Sequence, residues 1–210
     1  MRRCEVLEPV EIDITKLPVY WINLDEATER RKTMETMFEK HGFENVTRIP
    51  GIKHERGLMG CGFAFMEAFK QAPDCGFIIF EDDCVETENF TTKLKIPHNT
   101  DAFYLGISAW ARYNGESGPY LRGQSVAPNT VRIANMLSAH AIYYRSRRYT
   151  EACKEALDLF INTHEDHHDI GFANIMGDFN VYCNEKPIVY QSSQPHVTKI
   201  TLSQREDEEE

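Results

Sequence analysis

The sequence predicts a single α/β domain, a mixed sheet flanked by helices, and three observations carry that reading. Apolar runs of strand length alternate with helical periodicity through the first half of the chain. One run, Phe77-Ile78-Ile79-Phe80, passes straight into Glu81-Asp82-Asp83, and open α/β sheets gather ligands beyond the carboxyl ends of their strands. In the second half strand-like runs follow one another, so a sheet that is parallel at first gains antiparallel strands later.

Residues 1–17 read as an N-terminal extension with weak Val/Ile alternation. Val19 to Leu24 is a buried strand entered from Pro18. Asp25 follows as a helix N-cap candidate, with Glu26 and Glu29 in the first turn. Ala27, Met34, Met37, Phe38 and His41 recur at helical spacing, and Gly42 is a natural stop. Asn45 to Ile49 is a second strand, ended by Pro50-Gly51. The next helix carries the stripe Leu58, Cys61, Phe65, Ala68 and Phe69 and leads into the strand that ends in the acids. Ala102 to Gly106 is a further strand. Ser108 to Thr130, rich in Gly, Ser, Asn and Pro, reads as a long functional loop bearing Trp110, Tyr113 and Tyr120. Val131 to Met136 and Ala139 to Tyr144 are strands. Ser146 caps a helix with the stripe Tyr149, Ala152, Cys153, Ala156, Leu157 and Phe160. A short helical pattern follows Asp169, and Val181 to Cys183 and Ile188 to Tyr190 are terminal strands. The main domain spans 18–200, and 201–210 is an acidic tail.

A chain of 210 residues with 41% hydrophobic and 27% charged content is large enough for one real core. Its formal net charge is −10, of which Arg205 to Glu210 supply −4, one Arg against five acids. The body stays acidic without them, which argues against an extended nonspecific grip on nucleic acid through a basic face. Six cysteines occur without any CxxC pair, so a zinc ribbon or redox dithiol has no support. Cys61 and Cys153 fall on apolar stripes and read as buried, reduced thiols. No apolar segment follows Met1-Arg2-Arg3-Cys4, and no run approaches the length of a membrane span. The sequence therefore predicts a cytoplasmic protein without a signal peptide.

Three adjacent carboxylates repel one another unless a positive charge sits among them. A hard divalent cation, Mg²⁺ or Mn²⁺ bridging a diphosphate, is the simplest such charge; the alternative is a polar loop and helix cap. Asn23 and Asp25 lie at the carboxyl edge of the first strand, where they are candidates to bond a base or ribose, and Arg30 is a candidate fork for phosphate. Equally, Asp25 serves only as a cap and the arginines only as surface charge. His164 to Asp169 packs three histidines and three acids into six residues. His167-His168-Asp169, with His140 and Asp178, also matches the ligand types of an HD-type metal-dependent phosphohydrolase. That site belongs on an all-helical scaffold, with which the strand-like runs disagree.

Ile22-Asn23-Leu24-Asp25 before Arg30-Arg31, then Gly60-Cys61 at a helix start, then Phe80-Glu81-Asp82-Asp83 closing a strand, form an ordered set. This set resembles glycosyltransferase family 25, the group of the lipooligosaccharide and procollagen galactosyltransferases. The similarity continues through Ala139 to Tyr144, Asp169, Val181-Tyr182 and Pro187, and covers roughly residues 18–196. It departs where the family has Ser-His and this chain has Ala64-Phe65.

The resemblance implies a GT-A fold, a Rossmann-like single domain that binds a UDP-sugar donor and Mn²⁺ or Mg²⁺ and transfers a hexose, with inversion, to an acceptor hydroxyl. Glu81-Asp82-Asp83 would fill the metal motif, with Asp83 as the direct ligand and Glu81 and Asp82 holding metal, water or ribose. Asp169 would be the base that takes the acceptor proton, with Asp166 second. His196 is a candidate further metal ligand. The acceptor classes are a glycan, a lipid-linked saccharide, a hydroxylated protein side chain or a hydroxymethylated base. A GT-A-like module that binds nucleotide or glycan without turnover is the alternative from a different class.

Overall fold

Hydrophobic patterning selects the central strands, and the computed structural model, which describes residues 8–163 and 168–203, sets them in a definite order. The chain begins β1 (Pro9–Asp13), β2 (Pro18–Asn23), α1 (Thr28–His41), β3 (Asn45–Pro50), α2 (Gly57–Gln71) and β4 (Phe77–Glu81). Eight strands follow: β5 (Cys84–Glu86), β6 (Lys93–Pro97), β7 (Ala102–Tyr104), β8 (Ala111–Tyr113), β9 (Glu116–Gly118), β10 (Gly123–Ala127), β11 (Thr130–Ile133) and β12 (Ala141–Tyr144). Then come α3 (Arg147–Thr163), α4 (His168–Met176), β13 (Val181–Asn184) and β14 (Val189–Gln191).

One eight-stranded sheet has the order β10-β11-β13-β7-β12-β4-β2-β3. β2 runs parallel to both β3 and β4, whereas β12 runs antiparallel between β4 and β7. This is the mixed α/β sheet expected. Its centre is apolar on both faces because each face carries its own core. Phe77 and Ile79 of β4 pack with Phe65, Phe69 and Phe172 from α2 and α4. Ile78 and Phe80, pointing the other way, pack with Met34, Met37 and Phe38 of α1. The period-2 alternation of a strand thus turns a continuous apolar run into two half-cores. Register opposes Ile22 to Glu81 and Ala141 to Phe80, so the carboxyl ends of β2 and β4 meet the amino end of β12 at one sheet edge.

Several expectations are corrected. Within the N-terminal segment the described residues are structured: β1 pairs antiparallel with β6, and Ile14 is fully buried. Asp25 does not cap α1, which starts at Thr28 with Ala27 at the cap and no side-chain bond there. A one-turn offset separates the strand end from the helix, and Arg48 claims the Asp25 carboxylate instead. The Ser108–Thr130 segment is strand-rich, with β8 and β9 joined through Asn114-Gly115, both at positive φ (47° and 80°). Asn-Gly is the favoured hairpin turn, because both central residues must adopt the left-handed region. Cys61 is half-buried, while Cys153 is buried as expected. Gly42 ends α1 in the left-handed conformation, and Ser146 Oγ accepts from Tyr149 N–H at the start of α3. Among the described residues no helix is long and apolar enough to cross a membrane.

Candidate active site

The site is built on the turn that joins β4 to β5. Glu81 is the last residue of β4, anchored by its N–H to the His140 carbonyl at 2.8 Å. Asp82 and Asp83 occupy the turn and are only 9% and 7% exposed. Each carboxylate meets different company. Asn23 Nδ2 donates to Asp82 Oδ2 at 2.7 Å, and Arg30 Nη1 lies 3.0 Å from Asp82 Oδ1. Asn23 is itself fixed by Arg48, whose Nε donates to its Oδ1 at 3.0 Å. Gln191 Nε2 donates to Glu81 Oε2 at 3.0 Å, and His168 Nε2 lies 4.0 Å from Oε1. Ser193 Oγ donates to Asp83 Oδ2 at 2.6 Å. Asp83 Oδ1 is buried and has no hydrogen-bond partner among the described residues.

Burial, reinforced by Asp83, Asp169 and Asp82, lifts the Glu81 carboxyl from its ordinary 4.5 to about 8. Burial raises Asp82 as well, against the opposing pull of Asn23 and Arg30. A carboxyl whose folded pKa is raised holds its proton in the native state after the unfolded chain has released it. Glu81 therefore contributes full stability below about pH 4.5 and loses it progressively as pH rises through about 8. Urea midpoints will fall between pH 5 and pH 8, and Glu81→Gln will flatten that fall. Equal slopes in parent and variant would show that Glu81 is not desolvated. The nearby Cys61 thiol is also pushed well up, first by burial and then by Glu81 and Asp169, so it stays protonated. Its sulfur, the Glu81 carboxylate and the His168 ring lie within 4.8 Å of one another.

Two clefts open on either side of these acids. The smaller, about 180 Å³, lies between the end of β2 and the start of α2 and is lined by Asn23, Leu24, Arg30, Ile52, Asp82 and Asp83. The larger, about 450 Å³, is lined by Leu58, Trp110, Leu137, His168, Asp169 and Tyr190, among others. Cys61 and Glu81 line both, so the clefts adjoin.

No family model matches the chain, and no curated protein matches it. Among solved structures, the CTP:phosphocholine cytidylyltransferase of Streptococcus pneumoniae is similar over 84% of this chain and 72% of that chain, at 10% identity and a TM-score of 0.42.

Of the residues singled out in the sequence, Asn23, Arg30, Glu81, Asp82 and Asp83 meet around the smaller cleft, and Asp169 lines the larger. Asp25 does not join them: its side chain is 79% exposed and bound to Arg48. His196 is exposed, its ring stacked at 4.2 Å on Tyr190, which lines the larger cleft. Asp166 falls outside the described residues. His167 also falls outside them, and among the described residues the phosphohydrolase ligand set does not assemble. His140 is buried with Nδ1 bonded to Ser138 Oγ and Nε2 against Gly106, Asp178 is exposed, and the scaffold is a mixed sheet. Arg48, Gln191 and Ser193 went unnoticed in the sequence. No local pattern marks them, because each acts on a residue 25 to 110 positions away.

The loop after β3 is clamped onto α2 by a missing side chain. A Cβ on Gly60 would stand 2.1 Å from the Ile52 carbonyl oxygen. Helix propensity alone favours Gly→Ala by about 0.5–1 kcal/mol, but overpacking against a backbone oxygen costs about 1–3 kcal/mol. Gly60→Ala is therefore expected to destabilise the protein and to deform the smaller cleft. A urea midpoint raised in the variant would contradict this.

Proposed function

We propose that this protein is a metal-dependent glycosyltransferase that moves a hexose from a UDP-sugar to an acceptor hydroxyl with inversion, as its resemblance to glycosyltransferase family 25 implies. The observation that carries the reading is Asp83 Oδ1. A buried anionic oxygen without a donor is costly, and two further carboxyl groups beside it raise that cost. A hard divalent cation meets the need, so the residues fit Mn²⁺ or Mg²⁺, held by Asp83 with Glu81. Asp82, already engaged by Asn23 and Arg30, orients the turn.

Bound there, the cation would supply stabilisation of the negative charge that grows on the departing diphosphate. The chain's own groups do the rest. Leu24 and Ile52 give the smaller cleft apolar walls for a nucleoside. Arg30, half exposed at its rim, is the one cation among its described lining residues and faces the phosphates. Asp169, in the adjoining cleft, takes the acceptor proton as the acceptor oxygen bonds to the anomeric carbon and the bond to the diphosphate breaks.

Thermal unfolding with Mn²⁺, UDP, and both together tests the donor site. Ligand at a hundred times its Kd adds about 2.7 kcal/mol, which for a chain of this size is roughly 5–10 °C. A shift that needs both components supports the reading. No shift with any nucleoside diphosphate would overturn it. A shift without transfer or hydrolysis of any UDP-sugar would make the protein a binding module.

A further inference from the structure

We infer that the larger cleft is an acceptor subsite for an uncharged pyranose ring and that Trp110 is its stacking platform; this rests on the glycosyl-transfer reading above. Trp110 is 57% exposed, the largest apolar side chain left open on the described surface. Its backbone is nonetheless pinned. Its N–H donates to Ser108 Oγ at 3.0 Å, its carbonyl accepts from Leu137 N–H at 2.9 Å, and the next residue, Ala111, is fully buried. The indole pairs with no other ring among the described residues and lines the cleft that also holds Asp169 and Glu81. An open aromatic face carried on a pinned backbone and lining a cleft offers contact area at little conformational cost.

Charge narrows the occupant. The described lining of this cleft holds the carboxyl groups of Glu81 and Asp169 and no Lys or Arg. A phosphorylated sugar, a uronic acid or a nucleic-acid backbone would be desolvated there against like charge. Ser117 and Gln194 instead offer groups that both donate and accept, matching the same dual character of sugar hydroxyls. Its volume of about 450 Å³ suits a small molecule. The only cation facing either cleft, among their described lining residues, is Arg30, on the donor side. The smaller cleft also holds Asp82 and Asp83, so negative ligand groups belong there only with the proposed cation bound, and neutral ones belong in the larger.

The chain has two tryptophans, and the other, Trp21, is 2% exposed, so a change in the exposed emission reports on Trp110. The experiment titrates methyl glycosides of neutral hexoses and pentoses, and separately glucuronic acid and glucose 6-phosphate, into the full chain with Mn²⁺ and UDP. At least one neutral glycoside is expected to give a saturable blue shift, the anionic sugars none, and Trp110→Phe to remove the signal. In transfer assays with that glycoside, Trp110→Ala should raise the acceptor KM about tenfold with a smaller change in kcat, and Trp110→Phe should recover most of the loss. Retention of the Mn²⁺–UDP thermal shift is the folding control. No response to any neutral glycoside, an unchanged KM in Trp110→Ala, or equal binding of the anionic sugars would overturn the inference. A Trp110 response to a neutral glycoside without any Mn²⁺–UDP shift would uphold the subsite while the donor reading fell.

Discussion

Asp83→Ala is expected to abolish stabilisation by Mn²⁺ plus UDP and to lower transfer by about 10³-fold or more, yet to unfold no earlier than the parent. The two effects separate because of how the carboxylate is placed. Asp83 is 7% exposed, and one of its oxygens has no donor among the described residues. Removing it takes away a desolvated charge beside Glu81 and Asp82, which relieves repulsion in the metal-free protein. The loss on the other side is a single bond from Ser193, whose hydroxyl can turn to water. A residue held for structure behaves oppositely, losing stability when truncated. Asp83→Asn sharpens the test, since it keeps an acceptor for Ser193 while removing the charge. An Asn variant with undiminished response to Mn²⁺ would show that the site does not depend on charge at this oxygen, and the metal proposal would fall.

Asp169→Asn is expected to lower turnover by about 10²–10⁴-fold, the usual range for a positioned base, while the Mn²⁺–UDP shift persists. The residue sits in the first turn of α4 and lines the larger cleft, with the donor-side acids across Glu81. Asparagine keeps the shape and the hydrogen-bonding reach but cannot take a proton. The competing group is Glu81, which lines the same cleft and whose carboxyl is lifted by burial to about 8. A cation beside it would draw that value down, leaving it a ligand rather than a base. Parallel kinetics on Asp169→Asn and Glu81→Gln decide between them. Normal transfer in the former, with lost turnover but retained donor binding in the latter, would move the base to Glu81.

Much of this was legible from the chain alone, and the parts that were not share a cause. Val19 to Ile22 and Phe77 to Phe80 declared themselves as strands through apolar content, and Gly42 and Ser146 declared helix ends through backbone chemistry that depends on one residue. The hairpin at Asn114-Gly115 was written in the sequence too, but its short, half-exposed strands carry no apolar period against which to read it. Asp25 misled because a carboxylate ahead of a helix satisfies the capping pattern even when a cation from β3 takes it first.

The sequence by itself determined that three carboxylates would stand at the carboxyl end of a central strand, since strand, turn and acids are covalent neighbours and their pattern is local. Only the tertiary structure decided what each carboxylate does. Asn23 reaches Asp82 across 59 residues, and Gln191 and Ser193 reach Glu81 and Asp83 across 110. Those meetings follow from sheet order and register, which pair β2 with β4 and return the chain after β14 to the same edge. Spacing along the chain holds no record of which oxygen is left unmatched. The free energy of one buried, unpaired oxygen is a property of everything packed around it.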